Sequence, residues 1–368
     1  MMSLPDCVCP VDGTRVRAGS LDWCCPLCRG PLDLDFHPTP TDLKSLTGRV
    51  NSLWRYAGSL PLASPAVSLG EGRTPLVALT DTVSAKLDFL MPTLSFKDRG
   101  AVLLAELARR LGPERVIADS SGNAGTAIAA YCARAGLDCT VYVPAATSAK
   151  KLEQIRAHGA RVEAVAGDRE ATAAAARTAA DAPGTFYASH VYNPYFLHGT
   201  KTYVLELWED LGGRLPEVLV VPAGNGTLLL GAALALRELH SAGLIDRLPA
   251  LYGVQAAAVA PLAAAWSAGA ADLLPAPAEA RPTHAEGIAI PRPPRARQIL
   301  AAVRAFGGGF LTVPEPAIAA AQRDLAARGL YVEPTGVACW AAVRKEGFGG
   351  RSVVVPLCGA GAKTGMAG

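Results

Sequence analysis

At 368 residues, half of them hydrophobic, the chain is long enough to form two domains with buried cores. Its formal net charge of +3 is too small to make nucleic acid or an anionic membrane the expected partner. The chain starts without a basic segment followed by an apolar one, so we expect no signal peptide and a soluble, cytoplasmic protein. The most apolar stretch, residues 218–236, contains Pro222 and several glycines, which favours a strand and a helix over a membrane span.

The N-terminal cysteines form the first recognisable pattern. Cys25 and Cys28 are separated by two residues and followed by Gly-Pro, a knuckle in which two thiolates reach one ion. The matching half is incomplete, because Asp12 follows Cys9 where a second cysteine is usual. We therefore predict a small zinc-ribbon-like segment over residues 1–36, or a degenerate ribbon that has lost its metal. The candidate zinc ligands are Cys9, Cys25 and Cys28, with Cys7, Asp12 or Cys24 as the fourth.

The stretch PTLSFKDRG at residues 92–100 precedes an apolar run at helical spacing. We expect Thr93 or Ser95 to cap that helix, which places Lys97 at or near its first turn. The positive end of the helix dipole and Arg99 both disfavour a charged amine there, so we expect a lowered pKa for Lys97. Such a lysine is a nucleophile that forms Schiff bases with aldehydes. The alternative is an ordinary surface lysine at a helix start.

Beyond this stretch, strands and helices alternate. Strands are predicted at residues 116–118, 139–144, 161–165, 217–222 and 352–357, and helices at 126–135, 150–158, 171–182, 202–211 and 228–239. This alternation predicts parallel β-sheets. Three of the strands run into glycine-rich turns, at residues 120–125, 224–227 and 358–361. Because ligands bind at the carboxyl edge of parallel sheets, these turns are candidate binding segments.

The turn at residues 224–227 leads into a helix N-terminus, whose backbone N–H groups are suited to holding a phosphate. Its spacing matches neither the dinucleotide fingerprint nor the Walker loop. Combined with an activated lysine, these turns indicate a phosphate-bearing aldehyde, which is pyridoxal phosphate.

The chain resembles the threonine synthase family and its fold-type II pyridoxal-phosphate relatives, including serine/threonine dehydratases and the tryptophan synthase β subunit. The motifs that carry the resemblance are VSLGEGRTPLVAL at 67–79, PTLSFKDRG at 92–100, SSGNAGTAIAAYCARAG at 120–136, NPYFLHGTKT at 193–202, VVPAGNGT at 220–227 and VVVPLCGAGAK at 353–363. The resemblance implies an α/β, two-domain fold-type II architecture with open parallel-type sheets flanked by helices. A large cofactor-binding domain would cover residues 37–100 and 205–368, and a small α/β domain residues 101–204. It also implies a homodimer.

The resemblance assigns roles to individual residues. Lys97 would carry the cofactor as a Schiff base, Phe96 would lie against the pyridine ring, and Asn123 would hydrogen-bond to the phenolic oxygen. The residues expected to hold the cofactor phosphate are Gly224, Asn225, Gly226, Thr227 and Leu228. The residues expected to hold the substrate carboxylate are Ser120, Ser121, Gly122 and Ala124.

By the same resemblance, Cys358 would face the pyridine nitrogen. A carboxylate in that place would keep the nitrogen protonated and make the ring a strong electron sink, whereas a neutral thiol does not. This favours elimination of a leaving group over transamination, with Lys97 removing the α proton of the substrate.

Five positions depart from the threonine synthase pattern: Met91, Leu94, Ala124, Cys358 and Phe196. The last matters most, because an arginine usually stands there and helps to bind the phosphate of O-phosphohomoserine. An apolar ring does not replace a bidentate guanidinium. Other candidates for binding an anionic group are Lys150, Lys151, His190 and His198.

The leading hypothesis is a pyridoxal-phosphate-dependent carbon–oxygen or carbon–nitrogen lyase of the threonine synthase family, acting on a small amino acid with a β or γ leaving group. A true threonine synthase and a serine/threonine dehydratase-like ammonia-lyase are the alternatives. Two other classes are a non-catalytic carrier of the cofactor and an N-terminal module that recruits a partner. The near-neutral charge argues against nucleic acid as that partner.

Overall fold

The computed structural model describes residues 4–39, 41–63, 65–275 and 281–367. The chain divides into two compact units. The first contains Met1–Thr41, Ser45–Gly72 and Lys97–Thr200, and the second contains Asp42–Lys44, Arg73–Phe96 and Lys201–Gly368. This division differs from the predicted one, which placed residues 201–204 in the small domain and residues 97–100 and 45–72 in the large one. Residues 45–72 lie in the first unit because Leu53, Trp54 and Leu60 share an apolar core with helix residues 101–108.

Strands and helices alternate along most of the described chain. The strands are β1 (Cys7–Val8), β2 (Arg15–Val16), β3 (Asp33–Leu34), β4 (Leu76–Ala78), β5 (Val83–Lys86), β6 (Arg115–Ala118), β7 (Cys139–Pro144), β8 (Arg161–Val165), β9 (Thr185–Tyr187), β10 (Val218–Pro222), β11 (Ala250–Ala256), β12 (Gly309–Val313) and β13 (Val353–Pro356). The α-helices are α1 (Asp98–Leu111), α2 (Asn123–Ala135), α3 (Ala149–Ala157), α4 (Arg169–Ala180), α5 (Pro194–Thr200), α6 (Thr202–Asp210), α7 (Thr227–Ser241), α8 (Pro261–Ser267), α9 (Ala296–Ala305), α10 (Glu315–Ala327) and α11 (Pro334–Glu346). Among the described helices, none is long and apolar enough to cross a membrane.

A four-stranded parallel sheet with the order β8-β7-β6-β9 forms the centre of the first unit. Val116 and Ala118 of β6 belong to a core shared with α1 and α2. Ile117, which lies between them, packs instead with Ala176 and Ala180 of α4. Because side chains alternate across a strand, helices therefore cover both faces of this sheet. The parallel order confirms the predicted α/β architecture and brings the carboxyl ends of all four strands to one edge.

The N-terminal strands form a small antiparallel sheet with the order β2-β1-β3. Trp23 attaches this segment to α4 and β9. Its indole N–H donates to the Asp181 carboxylate at 2.9 Å, and its ring meets that of Tyr187 edge-on with 5.3 Å between centroids. Arg29 donates to both carboxylate oxygens of Asp181 at 2.8 Å. A segment this short buries little apolar surface of its own, so these contacts hold it in the unit.

The second unit is built on a six-stranded sheet with the order β12-β11-β10-β13-β5-β4. Its strands are parallel except for β4, which is antiparallel to β5. Val218 and Val220 of β10 belong to a core that includes residues of α10 and α11. Leu219 and Val221, which alternate with them, are also fully buried, so both faces of this strand are covered. The carboxyl ends of β10 and β13 run into two of the predicted glycine-rich turns.

Candidate active site

Lys97 stands immediately before α1 and occupies its N-cap position. Its carbonyl oxygen accepts the first hydrogen bonds of the helix, from the N–H groups of Gly100 at 3.1 Å and Ala101 at 2.9 Å. The prediction that Lys97 lies at a helix start is therefore confirmed. The predicted cap is wrong, because Lys97 itself stands at the N-cap and neither Thr93 nor Ser95 caps α1.

An aromatic ring and an imidazole lie near the Lys97 side chain within the first unit. Lys97 Nζ is 5.9 Å from the ring centroid of Phe196, whose ring lies 5.8 Å from that of His190. Phe196 is fully buried, and a Cβ on Gly100 would lie 2.4 Å from its ring. Burial, together with the charges of Lys97 and Arg169, lowers the pKa of His190 well below its ordinary value. His190 is therefore a neutral imidazole at neutral pH.

The turn after β6 leads directly into α2, which begins at Asn123 rather than at the predicted residue 126. Gly122 is the N-cap, and its N–H donates to the Ser120 hydroxyl at 3.3 Å. A Cβ on Gly125 would lie only 1.8 Å from the Ser120 carbonyl oxygen, so only glycine permits this approach. The predicted carboxylate-binding segment and its neighbour therefore lie together at one helix start, where backbone N–H groups lack intrahelical acceptors. They are Ser120, Ser121, Gly122, Asn123 and Ala124.

Asp119 lies between β6 and this turn, and the sequence did not single it out. Burial raises the pKa of Asp119 to about 6, while the Tyr187 hydroxyl and the charges of Arg169 and Arg177 act in the opposite direction. Its charge therefore changes close to neutral pH. The signal that could have found it is its place, an acidic residue between an apolar strand and a glycine-rich turn.

In the second unit, the turn after β10 runs into α7, whose N-cap is Gly226. Gly226 has a φ of +71°, and a Cβ there would lie 2.3 Å from Ile299. A Cβ on Gly224 would lie 2.9 Å from the Cα of Ile288. Glycine is thus required at both places, and the cap has no side chain to accept from the first N–H groups of α7. The predicted phosphate-binding residues lie on this turn and on the start of α7: Gly224, Asn225, Gly226, Thr227 and Leu228.

Phe96 and Cys358 lie opposite each other in the second unit. The Phe96 N–H donates to the Cys358 carbonyl oxygen at 2.9 Å, and Ser95 pairs with Gly359 in an antiparallel bridge. This pairing holds the backbones of Phe96 and Cys358 side by side. Both are buried. The structure therefore brings together the two residues that were predicted to contact the pyridine ring and its nitrogen.

Two features of the neighbouring residues were not predicted. Leu94 has a φ of +63°, a left-handed conformation that residues other than glycine rarely adopt. Its carbonyl oxygen accepts from the Ala360 N–H at 3.0 Å. The Ser95 hydroxyl is fully buried, and no described residue forms a hydrogen bond with it. A buried hydroxyl without a partner costs about 1–3 kcal/mol, so a group from outside the polypeptide would satisfy it.

These local geometries agree with comparisons to known proteins. A family model described as pyridoxal-phosphate dependent enzyme matches residues 67–359. The chain belongs to this family.

Curated relatives narrow the family further. The chain is 33% identical over 346 residues to the threonine synthase of Methanosarcina acetivorans, which covers 90% of this chain and 84% of that protein. It is 35% identical over 325 residues to the threonine synthase of Mycobacterium leprae, which covers 84% and 87% respectively. The chain is therefore a pyridoxal-phosphate-dependent lyase of the threonine synthase family.

Solved structures share the fold of this lyase. A threonine deaminase from T.th. superposes with a TM-score of 0.67 and 29% identity, covering 78% of this chain and 92% of that one. A maize serine racemase superposes with a TM-score of 0.67 at 22% identity, covering 78% and 88%. The first comparison supports membership of fold type II, and the second shows the shared fold.

The residues of the lyase fit pyridoxal phosphate in both units, each considered by itself. The first unit offers the Lys97 amine at a helix start. The second offers the turn at residues 224–227, where side chains are excluded and backbone N–H groups remain. It also holds the buried Ser95 hydroxyl that lacks a described partner. These are the groups that an aldehyde, a phosphate and a polar cofactor ring would need.

The lyase carries a second candidate site in the segment that precedes the family match. One ligand atom each from Cys9, Asp12, Cys25 and Cys28 lies within 4.8 Å of the others. The backbone N–H groups of Leu27 and Cys28 donate to Cys25 Sγ at 3.4 and 3.5 Å. Burial opposes the thiolate form of Cys25, but these hydrogen bonds lower its pKa. Three thiols and one carboxylate are a donor set that suits a metal ion.

Of the three predicted choices for the fourth ligand, the structure places Asp12 in the cluster. Cys7 and Cys24 lie outside it. Cys7 lies in β1, opposite Val16 of β2, and packs against the apolar cluster around Cys9 and Cys25 without joining the ligand group. Asp12 therefore replaces Cys7 in the predicted set.

Proposed function

We propose that this lyase eliminates or replaces a leaving group at the β or γ carbon of a small α-amino acid, with Lys97 as its catalytic residue. The observation that carries the proposal is the Lys97 amine at the start of α1, in the same unit as the Ser120 turn. A general base must reach the proton at the substrate α carbon, and an amine held at a helix start is a fixed base.

Pyridoxal phosphate, when bound, supplies an electron sink for charge at the substrate α carbon. We assign its aldehyde to Lys97 Nζ, its ring to Phe96 and its phenolic oxygen to Asn123. We assign its phosphate to the backbone N–H groups of residues 224–228, at the start of α7. Once the substrate amine has displaced it from the aldehyde, the free Lys97 amine would take the proton from the substrate α carbon as a general base and return it as a general acid.

The substrate carboxylate is assigned to the Ser120 turn. Gly122 caps α2 without a side chain, so the N–H groups that follow it and the hydroxyls of Ser120 and Ser121 are suited to a carboxylate. Ala124 contributes the small, buried surface next to it. Binding at a fixed helix start would hold the α carbon in one orientation during proton transfer.

Cys358 is assigned to the pyridine nitrogen. Its backbone hydrogen bond with Phe96 supports this assignment, because it brings Cys358 next to the residue assigned to the ring. A neutral thiol leaves the nitrogen largely unprotonated, which weakens the electron sink. This favours departure of the leaving group over the longer-lived charge that transamination requires.

Two more specific functions are candidates. Synthesis of threonine from O-phosphohomoserine is supported by relatives named threonine synthase, at 33% and 35% identity. It is opposed by Phe196, a buried ring where the family usually has an arginine. Deamination of serine or threonine is supported by the likeness to the T.th. threonine deaminase.

The decisive experiment is a spectral and product assay on purified protein supplied with pyridoxal phosphate. We expect visible absorption from the lysine-bound cofactor, a spectral change on adding an amino-acid substrate, and neither with Lys97→Ala. Phosphate release from O-phosphohomoserine would identify a threonine synthase. Ammonia release from serine or threonine would identify a dehydratase. Cofactor absorption that no amino acid changes would indicate a carrier, and an absence of absorption would exclude the proposal.

We also propose that Cys9, Asp12, Cys25 and Cys28 bind one zinc ion. Zinc accepts thiolate and carboxylate ligands in a tetrahedral arrangement, and the N–H donors at Cys25 Sγ favour the thiolate. Metal analysis of purified protein should find one zinc per chain, retained in Cys7→Ser and lost in Cys25→Ser. Zinc-free protein whose melting temperature does not respond to added zinc would contradict the proposal.

Homodimerisation and a cytoplasmic location are carried here as proposals. The family resemblance supports the first. Sedimentation of the cofactor-loaded protein at two concentrations tests the dimer, since a monomer at both would exclude it.

A further inference from the structure

The proposed function leaves one part of the substrate without a partner, which is the leaving group. Phe196 stands where the family usually has a phosphate-binding arginine, and its ring is fully buried beside Gly100 and His190. An apolar ring neither attracts an anion nor forms a bidentate pair with it. If the leaving group is anionic, a residue other than Phe196 must bind it.

Two of the candidates from the sequence are weakened by the structure. His190 has a pKa well below its ordinary value because of burial and the charges of Lys97 and Arg169, so it carries no charge at neutral pH. His198 is buried and packs edge-on against Phe36, with 5.4 Å between ring centroids. The other two candidates, Lys150 and Lys151, lie in the first turn of α3 and remain alternative cations.

Helix α4 points its first turn at the edge of the sheet where the predicted substrate turn lies. It leaves β8, crosses the sheet and leads into β9, so it runs antiparallel to the four parallel strands. Ala176 and Ala180 in its second half pack with Ile117 of β6 and Tyr187 of β9. The N-terminus of α4 is therefore at the carboxyl edge, where β6 runs into Ser120 and β9 into His190. Its first residue, the exposed Arg169, stands at that edge.

The electrostatic neighbours of Arg169 agree with this placement. Arg169 acts electrostatically on Asp119, next to the Ser120 turn, and on His190. Lys97 also acts on His190, so Arg169 and the catalytic amine influence the same imidazole. Arg177, on the same helix, forms an ion pair with Glu170, with 3.0 Å between its guanidinium nitrogen and the carboxylate oxygen. Arg169 is thus the arginine of α4 that is placed to meet a ligand at the Ser120 turn.

We propose that Arg169 is a specificity-determining residue that binds an anionic group on the side chain of the amino-acid substrate. This inference rests on the proposed function. A guanidinium donates two parallel hydrogen bonds to a phosphate or a carboxylate, which fits a leaving group or side chain of either kind. The cation would come from the first residue of α4 rather than from position 196.

The test is a binding titration followed by the visible absorption of cofactor-loaded protein. The probes are O-phosphohomoserine with a phosphate, L-glutamate with a carboxylate, and L-threonine with a neutral side chain. Removing one charge-assisted hydrogen-bonding partner should lower the affinity for the anionic probe by about 10- to 100-fold. Arg169→Gln should show this loss while binding L-threonine as the wild type does, and Arg169→Lys should recover part of it.

Arg177→Gln is the matched control, since it removes an arginine from the same helix and should leave all three affinities unchanged. Arg169→Gln should lower the affinity for one anionic probe, O-phosphohomoserine or L-glutamate, more than for the other. The probe with the larger loss identifies the anion. Equal affinity of wild type and Arg169→Gln for both anionic probes would overturn the inference while leaving the proposed lyase function intact. Failure of the wild type to show cofactor absorption would instead overturn the proposed function.

Discussion

The carbonyl oxygen of Cys358 accepts the backbone N–H of Phe96 at 2.9 Å, which holds a thiol-bearing residue and an aromatic one next to each other in the second unit. The two residues are far apart in the sequence and come from segments with different roles. One leads into Lys97, and the other closes the chain after β13. Any change of the Cys358 side chain should therefore be felt where the cofactor ring is proposed to lie.

Replacing Cys358 by aspartate should change the fate of the reaction. A carboxylate would hold a proton on the pyridine nitrogen, so we expect Cys358→Asp to convert more cofactor to its amine form during turnover. Cys358→Ser, which stays neutral, is the control and should not. The measurement is the ratio of amine-form cofactor to product by absorption and chromatography. Equal ratios in the two variants would contradict the assignment of Cys358 to the nitrogen.

Gly125→Ala should disrupt the turn after β6. The new Cβ would lie 1.8 Å from the Ser120 carbonyl oxygen, which is backbone and has little room to move. We expect a loss of about 3 kcal/mol in the free energy of unfolding, the upper end of overpacking costs.

The control for this change lies in the same turn. At Gly122 the nearest atom to a new Cβ is the Ser120 Oγ, at 4.0 Å, so Gly122→Ala should be tolerated. Urea unfolding of both variants makes the comparison, and equal losses would show that the close approach of Gly125 does not limit stability.

Leu94→Gly should stabilise the protein. The left-handed conformation costs a residue with a Cβ about 1–2 kcal/mol, and part of that gain is offset by the greater freedom of glycine in the unfolded chain. The net gain should be about 0.5–1 kcal/mol. Leu90→Gly, at a nearby leucine that is 53% exposed and not in this conformation, should destabilise instead. Thermal unfolding of both variants checks the opposite signs.

The stability of the protein should depend on the Asp119 carboxyl between about pH 4 and pH 6. Burial raises its pKa from 3.8 to about 6, so the folded state binds the proton more tightly than the unfolded state. Below the pKa values of both the unfolded and the folded state, Asp119 is protonated and does not destabilise the fold. As the pH rises through this window, ionising the buried carboxyl costs more and more folding stability. Asp119→Asn should therefore gain about 2 kcal/mol relative to the wild type above pH 6.

The control for this pH dependence is Asp138→Asn, at a side chain that is 78% exposed. Its stability should follow the wild type at every pH. Chemical denaturation at pH 4, 5, 6 and 7 provides the profile. A constant difference between wild type and Asp119→Asn across that range would show that Asp119 titrates equally in the folded and unfolded states.

Restoring an arginine at position 196 should not restore phosphate binding. Phe196 is fully buried and close to Gly100, so Phe196→Arg would place a charge in an apolar site at a cost of several kcal/mol, about 3 or more. Phe196→Leu keeps the site apolar and should cost less, about 1.5 kcal/mol. Thermal unfolding and O-phosphohomoserine binding are the measurements. A stable Phe196→Arg protein with tighter binding would contradict this prediction.

Much of the architecture followed from local patterns. The apolar strands with glycine turns predicted the parallel sheets, because the alternation of strand and helix leaves few other arrangements. Lys97 was correctly placed at a helix start, since the apolar spacing after it is local information. The boundaries of the two units were predicted less accurately from the sequence, because residues 45–72 join a core formed mainly by residues far along the chain.

What escaped prediction depends on contacts between distant segments. The cap of α1 was misassigned because residues 93–95 are held by the closing segment, where Lys363 donates to the Thr93 carbonyl oxygen at 2.8 Å and Ser95 pairs with Gly359. The positive φ of Leu94 arises in the same pairing. Asp119 and Arg169 are ordinary charged residues in sequence, and only the crossing of α4 over the sheet gives them a common place.

The attachment of Trp23 and Arg29 to Asp181 has a consequence for how the chain is handled. Asp181 is the residue that ends α4, and Trp23 covers the rings of Tyr187 and Tyr192. A truncated protein that starts near residue 36 would uncover those rings and leave the end of this helix without its two donors. The N-terminal segment therefore stabilises the first unit. We expect its truncation to lower the solubility and the yield of the protein, whether or not the segment also binds a partner.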